Sequence, residues 1–446
     1  MSWKEIKFAD FLKERKGLLE PNNTNLFNFK KIDKIDFSKG NLFLTEYSPT
    51  KTKQIIVYPN DFIFSGLNIE KGAVTINTTG EQLVVSANYS TCEVDYSVID
   101  MDFFLLFMKS LSFKNLLKEN LKKDYGFTRP KHLEQIKFFI PSSLEEQRKL
   151  VKLANKNKKI VDEISTEISH QINFAKKLRQ QLLQDAVQGK LVMQNENVEP
   201  ASELLKKIKD EKKKMIAEKK LKKEKELPPI KPEEIPFEIP ENWVWCRLGE
   251  VVSHIFDGPF GSHLKSSDYK TSGVQVIRLQ NLGFMKFKEE KEAFVSIEKY
   301  NTIKQHTVYE GDIIIGSFLA DGVNCVILPK LNYTAIAKAD CFTIRISHLN
   351  VIKRFVMFLL SSEPMFNELS KLLRGMTRLR INTTQLKNLP IPLPPLSEQN
   401  HIVQKLDELM QSCNELEASI KQSESQNKKL LQQVLREALR KEPVGV

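Results

Sequence analysis

Two stretches decide the fold: Leu144-Glu-Glu-Gln147-Arg-Lys-Leu-Val151 and Leu396-Ser-Glu-Gln399-Asn-His-Ile-Val403, which lie 252 residues apart and share Leu, Glu, Gln and Val in register. The same shift, without a gap, lays Lys176, Lys177, Leu178, Gln180, Gln181, Leu183 and Ala186 on Lys428, Lys429, Leu430, Gln432, Gln433, Leu435 and Ala438. Self-similarity at a fixed offset marks a repeated unit, and missing it misassigns every element that follows. Upstream the offset drifts by a few residues, as loop insertions cause. Asp61-Phe-Ile-Phe-Ser65 falls on Asp312-Ile-Ile-Ile-Gly316, Phe104 to Ser110 on Phe355 to Ser361, and Gly126-Phe-Thr-Arg129 on Gly375-Met-Thr-Arg378. At the front, Trp3 to Leu12 weakly echoes Trp245 to Val252. The order is the same in both halves, so the chain is one unit written twice.

Each copy ends in a long helix. The first is predicted from Ser143, which with Glu146 has capping-box spacing, to Gly189, a residue suited to the left-handed turn that stops a helix. Its apolar positions recur at three, four and seven, a stripe that needs a partner. The second follows Pro390-Ile-Pro-Leu-Pro-Pro395, a rigid extended entry. A helix of this length measures roughly 65 to 70 Å at about 1.5 Å per residue. The simplest way to bury both stripes is an antiparallel coiled coil with a pseudo-two-fold axis, which would carry the two domains toward opposite ends. The expected pairing residues are Leu150, Ile160, Ile164, Ile168, Leu178 and Leu182 on the first helix, and Ile402, Leu406, Leu409, Leu416, Ile420 and Leu430 on the second. The competing arrangement packs each helix on its own domain or on another molecule.

The globular halves mix β-like runs (Gln54 to Tyr58, Leu83 to Ser86, Val274 to Leu279, Phe342 to Ile346) with helical segments near 101–121 and 350–373, which gives an α+β class. The expected division is 1–140 for a first domain, 141–191 for the first spacer helix, 192–240 for a Lys-rich helical linker and Pro-rich strap, 241–390 for a second domain and 391–446 for the second spacer helix. In the linker, the lysines between Leu204 and Glu226 either track a phosphate backbone or, interleaved with Glu and Asp, solvate a linker helix. Prolines between Leu227 and Pro240 exclude helix and central strand there.

A chain of 446 residues exceeds one ordinary core, and 68 Lys and Arg against 56 Asp and Glu leave a net charge of +12, which favours a polyanionic partner. Five scattered cysteines form no C-x-x-C pair, so neither a disulfide framework nor a zinc site is indicated and a reducing cytoplasm fits. The longest apolar run, Phe355 to Leu360, is too short to span a bilayer, and no membrane association is expected. No phosphate-cradling G-x-x-x-x-G-K-[ST] occurs, no acidic metal cluster stands out, and the Asp-Pro-Pro or Asn-Pro-Pro plus aromatic of an amino-group methyltransferase is absent. No catalytic residue, metal ligand or bound cofactor is therefore expected.

What recurs instead is a basic, polar loop late in each half: Thr128, Arg129 and Lys131 in the first, Arg374, Thr377, Arg378 and Arg380 in the second. Arginine holds guanine bidentately or grips phosphate, and threonine takes either, so these seven are expected at a DNA face; their bland alternative is a turn with local pairing. A second candidate, Phe256 to Lys270, adds His263, Lys265 and Lys270 and has no obvious counterpart in the first half, as expected of loops that read different sequences on a common scaffold.

Several segments now carry a resemblance: Pro390-Ile-Pro-Leu-Pro-Pro-Leu-Ser-Glu-Gln399, Phe260-Gly-Ser-His-Leu-Lys-Ser-Ser-Asp-Tyr269, Gly311-Asp-Ile-Ile-Ile315 and Pro236-Phe-Glu-Ile-Pro-Glu-Asn-Trp243 after a Lys-rich helix. Together with the duplication, the chain resembles the specificity subunits of type I restriction-modification systems. The resemblance implies two target recognition domains reading a bipartite, asymmetric site in double-stranded DNA, with two spacer helices fixing the gap. It implies no activity alone. Two modification subunits would methylate adenine N6 with S-adenosylmethionine, and restriction subunits would use ATP and Mg to translocate and cleave. The first half departs from the pattern, having Phe139-Ile-Pro-Ser-Ser143 in place of the Pro-Leu-Pro-Pro entry. The alternatives are a stand-alone DNA modification enzyme with an unrecognised motif, or a coiled-coil scaffold.

If the helices act as a ruler, deleting one heptad from both changes the preferred gap between half-sites and leaves the half-site sequences intact. The methylated motif of the host reads this out, and an unchanged gap contradicts the ruler.

Overall fold

The computed structural model describes residues 2–21, 26–37, 40–121, 126–195, 197–290, 292–319, 322–374 and 379–438. It divides into two units, Met1–His170 with Ile420–Val446, and Gln171–Ser419. Both contain a two-stranded entry pair and a four-stranded sheet of matching order, and their other sheets match except for one extra edge strand in the second unit.

In the first unit Trp3–Lys7 pairs antiparallel with Lys137–Pro141. A four-stranded antiparallel sheet runs in the order Leu12–Glu14, Tyr89–Val94, Phe62–Ser65, Val74–Ile76, and a second runs Leu42–Glu46, Lys30–Ile35, Leu83–Ser86, Gln54–Val57 with its two central strands parallel. In the second unit Val244–Arg247 pairs with Pro390–Leu393, and the matching sheet runs His254–Phe256, Cys341–Arg345, Ile313–Gly316, Cys325–Ile327. The other sheet has five strands, Tyr269–Lys270, Phe294–Val295, Val274–Ile277, Ala335–Ala337, Thr307–Val308, and again the Val274–Ile277 and Ala335–Ala337 pair is parallel. Pro390 and Pro392 sit two apart, so the residues lacking an N–H share one edge of the strand and Ile391 and Leu393 keep theirs for the ladder.

A turn leads into each central strand and places a buried carboxylate. In Tyr58-Pro-Asn-Asp61 and Tyr309-Glu-Gly-Asp312 the third residue is left-handed, φ 66° at Asn60 and 81° at Gly311, which selects Asn or Gly. The Tyr N–H of each turn donates to the Asp side chain, at 3.0 and 2.8 Å. The carboxylates are 1% and 4% exposed, and each is gripped by a guanidinium through two donors: Arg15 holds Asp61 at 3.1 and 3.2 Å, while Arg345 holds Asp312 through Nε at 2.9 Å and through Nη2. Each guanidinium also lies over the turn's own tyrosine ring, 4.8 and 4.7 Å from its centroid. Arg15 lies just past the strand Leu12–Glu14 while Arg345 ends Cys341–Arg345, so the pair is rebuilt and not inherited position by position.

The paired helices are Leu144–Val187 and Leu396–Ala438. Ser143 and Glu146 form the expected cap, Glu146 N–H donating to Ser143 Oγ at 3.2 Å. At the other end Gly189, with φ 72°, stops the helix. Gln147 and Gln399, both without exposed surface, fasten helix to domain in the same way. Gln147 accepts from Asp100 N–H (2.7 Å) and donates to Pro141 O (3.2 Å); Gln399 accepts from Ile352 N–H (2.9 Å) and donates to Pro394 O (3.0 Å).

Within the second unit Arg179 meets Glu417 at 3.0 Å and Asn414 at 2.9 Å, and Leu183, Ala186 and Val187 share a core with Ile402, Leu406 and Met410, so the helices run antiparallel. In the first unit Asn427 donates to Val161 O (3.0 Å) and Ser165 Oγ (2.8 Å). The seam lies beside the expected stripe. Leu150, Ile168, Ile402, Leu406 and Ile420 are buried, and Leu182 and Leu409 half-buried, but Ile160, Ile164, Leu178, Leu416 and Leu430 are 39 to 46% exposed. The buried positions keep a strict seven-residue spacing, Ala154, Val161, Ile168, Ala175 against Leu406, Cys413, Ile420, Asn427. Alanine seats let the backbones approach, and a strict heptad drifts across the face that a count of large side chains selects.

The linker is a solvated helix along most of its lysines, paired with Glu199, Glu203 and Asp210 as expected, but it is shorter than expected and one face is buried. Its helix is Ala201–Ala217, ending well before Glu226, and Ala201, Leu204 and Ile208 are buried in the second unit's core. Lys212 neither solvates the helix nor reaches outward: Nζ donates to Gly249 O (2.7 Å) and Val252 O (2.8 Å), and burial lowers its pKa. The Pro-rich strap that follows is clasped by Arg247, 3% exposed, which bonds Pro228 O, Pro229 O, both Glu234 oxygens and Asn388 O. Among the described residues no helix is long and apolar enough to cross a membrane, and all five cysteines are unpaired and buried.

Replacing Gln399 by Leu orphans one buried N–H and one buried carbonyl, each costing about 1–3 kcal/mol. The expected loss is about 2–4 kcal/mol in urea unfolding of the full chain. Gln147→Leu should lose a similar amount, and a loss under about 1 kcal/mol for both contradicts the fastening role.

Candidate nucleic-acid interface

The late loop of each unit is tied to the end of its central strand. In the first, Thr128 N–H donates to Gly66 O at 2.8 Å, and Phe127 lies so close that a Cβ on Gly66 would stand 2.3 Å from its ring. In the second, Ile381 N–H donates to Ser317 O at 3.2 Å, one residue beyond Gly316 just as Gly66 is one beyond Ser65. In both units a described residue of this late segment, Thr128 or Ile381, thus bonds the carbonyl just past the central strand.

Their side chains diverge. Thr128 is 5% exposed, so its hydroxyl is not at the surface. Arg129 and Lys131 are exposed at the start of a short helix, Pro130–Leu133, with Arg129 N–H donating to His132 Nδ1 (3.1 Å) and its guanidinium 6.0 Å from the Phe127 ring centre. In the second unit Arg374 and Arg380 exchange backbone bonds at 3.1 and 3.0 Å, closing the stem of the loop. Arg374 turns its guanidinium back onto Lys371 O and Leu373 O, while Arg380, exposed, reaches Asp340 at 3.2 Å. Thr377 and Arg378 lie outside the described residues.

Asp340 joins this stem to the other sequence candidate. It is left-handed (φ 70°), accepts from Ser317 Oγ (3.0 Å) and gives its own N–H to Asp257 Oδ1 (3.0 Å). Gly258 follows, and a Cβ there would be 2.1 Å from the Lys338 carbonyl carbon, so only glycine lets this loop lie on the 338–340 turn. Beyond it His263, Lys265 and Lys270 are exposed, and Lys265 N–H is held by Asp268 (2.7 Å), whose carboxylate pairs Lys299 (3.0 Å). The Phe256 to Lys270 loop and the Arg374–Arg380 stem therefore form one surface in the second unit. Sequence reasoning missed its keystones, Asp257 and Asp340, and two more cations on the same turn and its neighbour, Lys338 and Arg278. They are acidic or isolated in sequence, and only the parallel strand pair brings them together. Burial raises the Asp257 carboxyl to about 6, against the opposing pull of the two N–H donors.

Residues 240–423, the whole second globular half with the start of its helix, match the type I restriction modification DNA specificity domain. The chain is 35% identical over 254 residues to the type I restriction enzyme EcoAI specificity subunit of Escherichia coli, an alignment covering 55% of this chain and 41% of that one. It is 25% identical over 414 residues to the MjaVIII specificity subunit of Methanocaldococcus jannaschii, covering 91% of this chain and 85% of that one. The crystal structure of the HsdS subunit from Thermoanaerobacter tengcongensis shares the fold, with TM-score 0.52, 18% identity, and coverage of 99% of this chain and 97% of that one. Residues 240–423 thus carry a type I restriction modification DNA specificity domain, and the chain as a whole is similar to type I specificity subunits. With the E. coli relative it shares about two fifths of that protein's length.

The raised Asp257 pKa sets a pH dependence. Because the folded state favours the protonated acid, this group's contribution is fully present below the ordinary carboxylate range and is lost as pH rises through about 6. Asp257→Asn should therefore be more stable than the parent at pH 7 by about 1 kcal/mol, after discounting for partial exposure, and equal to it near pH 3.5. Thermal melts across that range check it, and a difference that does not change with pH contradicts it.

Proposed function

We propose that the chain is the DNA-reading subunit of a type I restriction-modification complex. Each unit reads one part of a bipartite, asymmetric double-stranded site, and the chain holds two modification subunits and the restriction subunits on it. One observation supports the reading: the same scaffold is built twice, each late segment returning to the residue just past the central strand, through Thr128 to Gly66 and through Ile381 to Ser317, while the described cations around it, Arg129 and Arg380, have different surroundings. A scaffold kept and a reading surface changed is what two unlike half-sites demand. The net charge of +12 supplies the sequence-independent attraction to phosphate.

Chemistry is assigned to the partners: adenine-N6 methylation with S-adenosylmethionine, and ATP- and Mg-dependent translocation and cleavage, all in the cytoplasm. The chain purified alone is expected to turn over none of these.

Methylation sequencing of the host with and without the gene tests the reading. A two-part asymmetric motif should vanish on deletion. Arg129→Ala should relax only one half of it and Arg380→Ala only the other, each by about 1–3 kcal/mol of base discrimination, or five- to a hundredfold. A palindromic motif, or one untouched by deletion, contradicts it.

A further inference from the structure

Beyond the loops named above, the second unit holds a pair of cations that no local pattern announces. Val274–Ile277 and Ala335–Ala337 run parallel with Ile277 opposite Ala337, and Lys338 N–H donates to Ile277 O at 2.9 Å. The residues that follow the two strands, Arg278 and Lys338, are thereby neighbours at the carboxyl end of the parallel pair. Both lie 5.6 Å from the ring centre of Tyr269. Both are half-buried. Among the described residues the Lys338 ammonium has no hydrogen bond or ion pair, although Asp340 is two residues away and is taken instead by Arg380. The Tyr269 hydroxyl is buried and also lacks a hydrogen-bond partner. A half-buried ammonium left without a carboxylate, next to a second cation and an unused hydroxyl, is costly unless an anion completes it.

Among the described residues the first unit shows no equivalent pair: Asp36 and Ala87 follow its two parallel strands. Its parallel strands, Lys30–Ile35 and Leu83–Ser86, are paired through Lys30 with Leu83 and Lys31 with Val84, and Lys34 there lies over Phe43 at 4.6 Å.

We infer that Arg278 and Lys338, gathered on Tyr269, form a phosphate-binding clamp that fixes the DNA backbone on the second unit beside the Phe256 to Lys270 loop. The ligand is a phosphodiester. The clamp sets register and carries no base information, so it differs in kind from Arg380. It rests on the DNA-reading function.

The experiment uses the full chain in its methyltransferase complex, on a duplex bearing the motif found by methylation sequencing. Affinity is measured against salt for the parent, Arg278→Gln, Lys338→Gln, the double variant, and Lys286→Gln as a control from outside the clamp. Each clamp substitution should reduce the slope of log K against log salt by about 0.9, the double by about twice that, with the methylated motif unchanged in both halves. The control should keep the parent slope. A slope unchanged in the double variant while its melting temperature is preserved overturns the clamp. A relaxed second half-site with the parental slope also overturns it, reassigning the pair to base reading. If melting falls in the double variant, Lys338→Met, which keeps the stem that packs on Tyr269, decides: the slope must still drop. A parent complex that binds without sequence preference overturns the DNA-reading function and the clamp with it, whereas a sequence-specific parent with unaltered variants overturns the clamp alone.

Discussion

A carboxylate taken out of water at the mouth of a central strand costs several kcal/mol unless a cation and hydrogen bonds accompany it. Asp61 and Asp312 occupy that position, and the rest of each unit is arranged so that they are accompanied. The turn supplies one N–H, an arginine supplies two donors, and the tyrosine that opens the turn covers the guanidinium. With the turn fixed, the central strand starts at a defined residue. With the strand fixed, its far end, Ser65 to Gly66 or Gly316 to Ser317, is where the late loop must dock. The distance from buried acid to exposed loop is one strand, and it is the same in both units.

The helices obey a different constraint. Their domain ends are held by one buried glutamine each, with both side-chain functions spent on backbone groups, which sets how the helix leaves the domain. Their mutual packing is held by a heptad of mostly small or medium residues, with Asn427 buried among them. A buried asparagine weakens a seam but penalises every other register, because only one alignment gives it Val161 O and Ser165 Oγ. Stability is thereby exchanged for a single alignment.

The duplication, the two long helices, the cap at Ser143, the stop at Gly189 and the strand that begins after Asp61 and Asp312 were all legible in the sequence, since each depends on neighbours within a turn or on a repeat. What escaped depends on topology. The seam was displaced from the expected stripe because Ala154 and Ala175 matter through their smallness, which periodicity of large residues does not register. Lys212 read as part of a charge run, yet it caps carbonyls of a segment some forty residues away in the chain. Asp257 and Asp340 drew no notice, being single acids in a basic loop region, and Arg278 with Lys338 become a pair only once two short strands lie parallel. Thr128 has the residue type of a base contact and a buried position.

The clasp made by Arg247 bears on how such a reading unit can be exchanged between relatives. Its guanidinium bonds Pro228, Pro229 and Glu234 on one side and Asn388 on the other, while Ala201, Leu204 and Ile208 fill the same core from the linker helix. The second unit's core therefore reaches back past the linker to Leu183, Ala186 and Val187 of the first long helix, well before the strand Val244–Arg247. A chimaera joined at the strand would leave Arg247 buried beside a foreign strap, with four of its bonds, those to Pro228, Pro229 and both Glu234 oxygens, in search of acceptors.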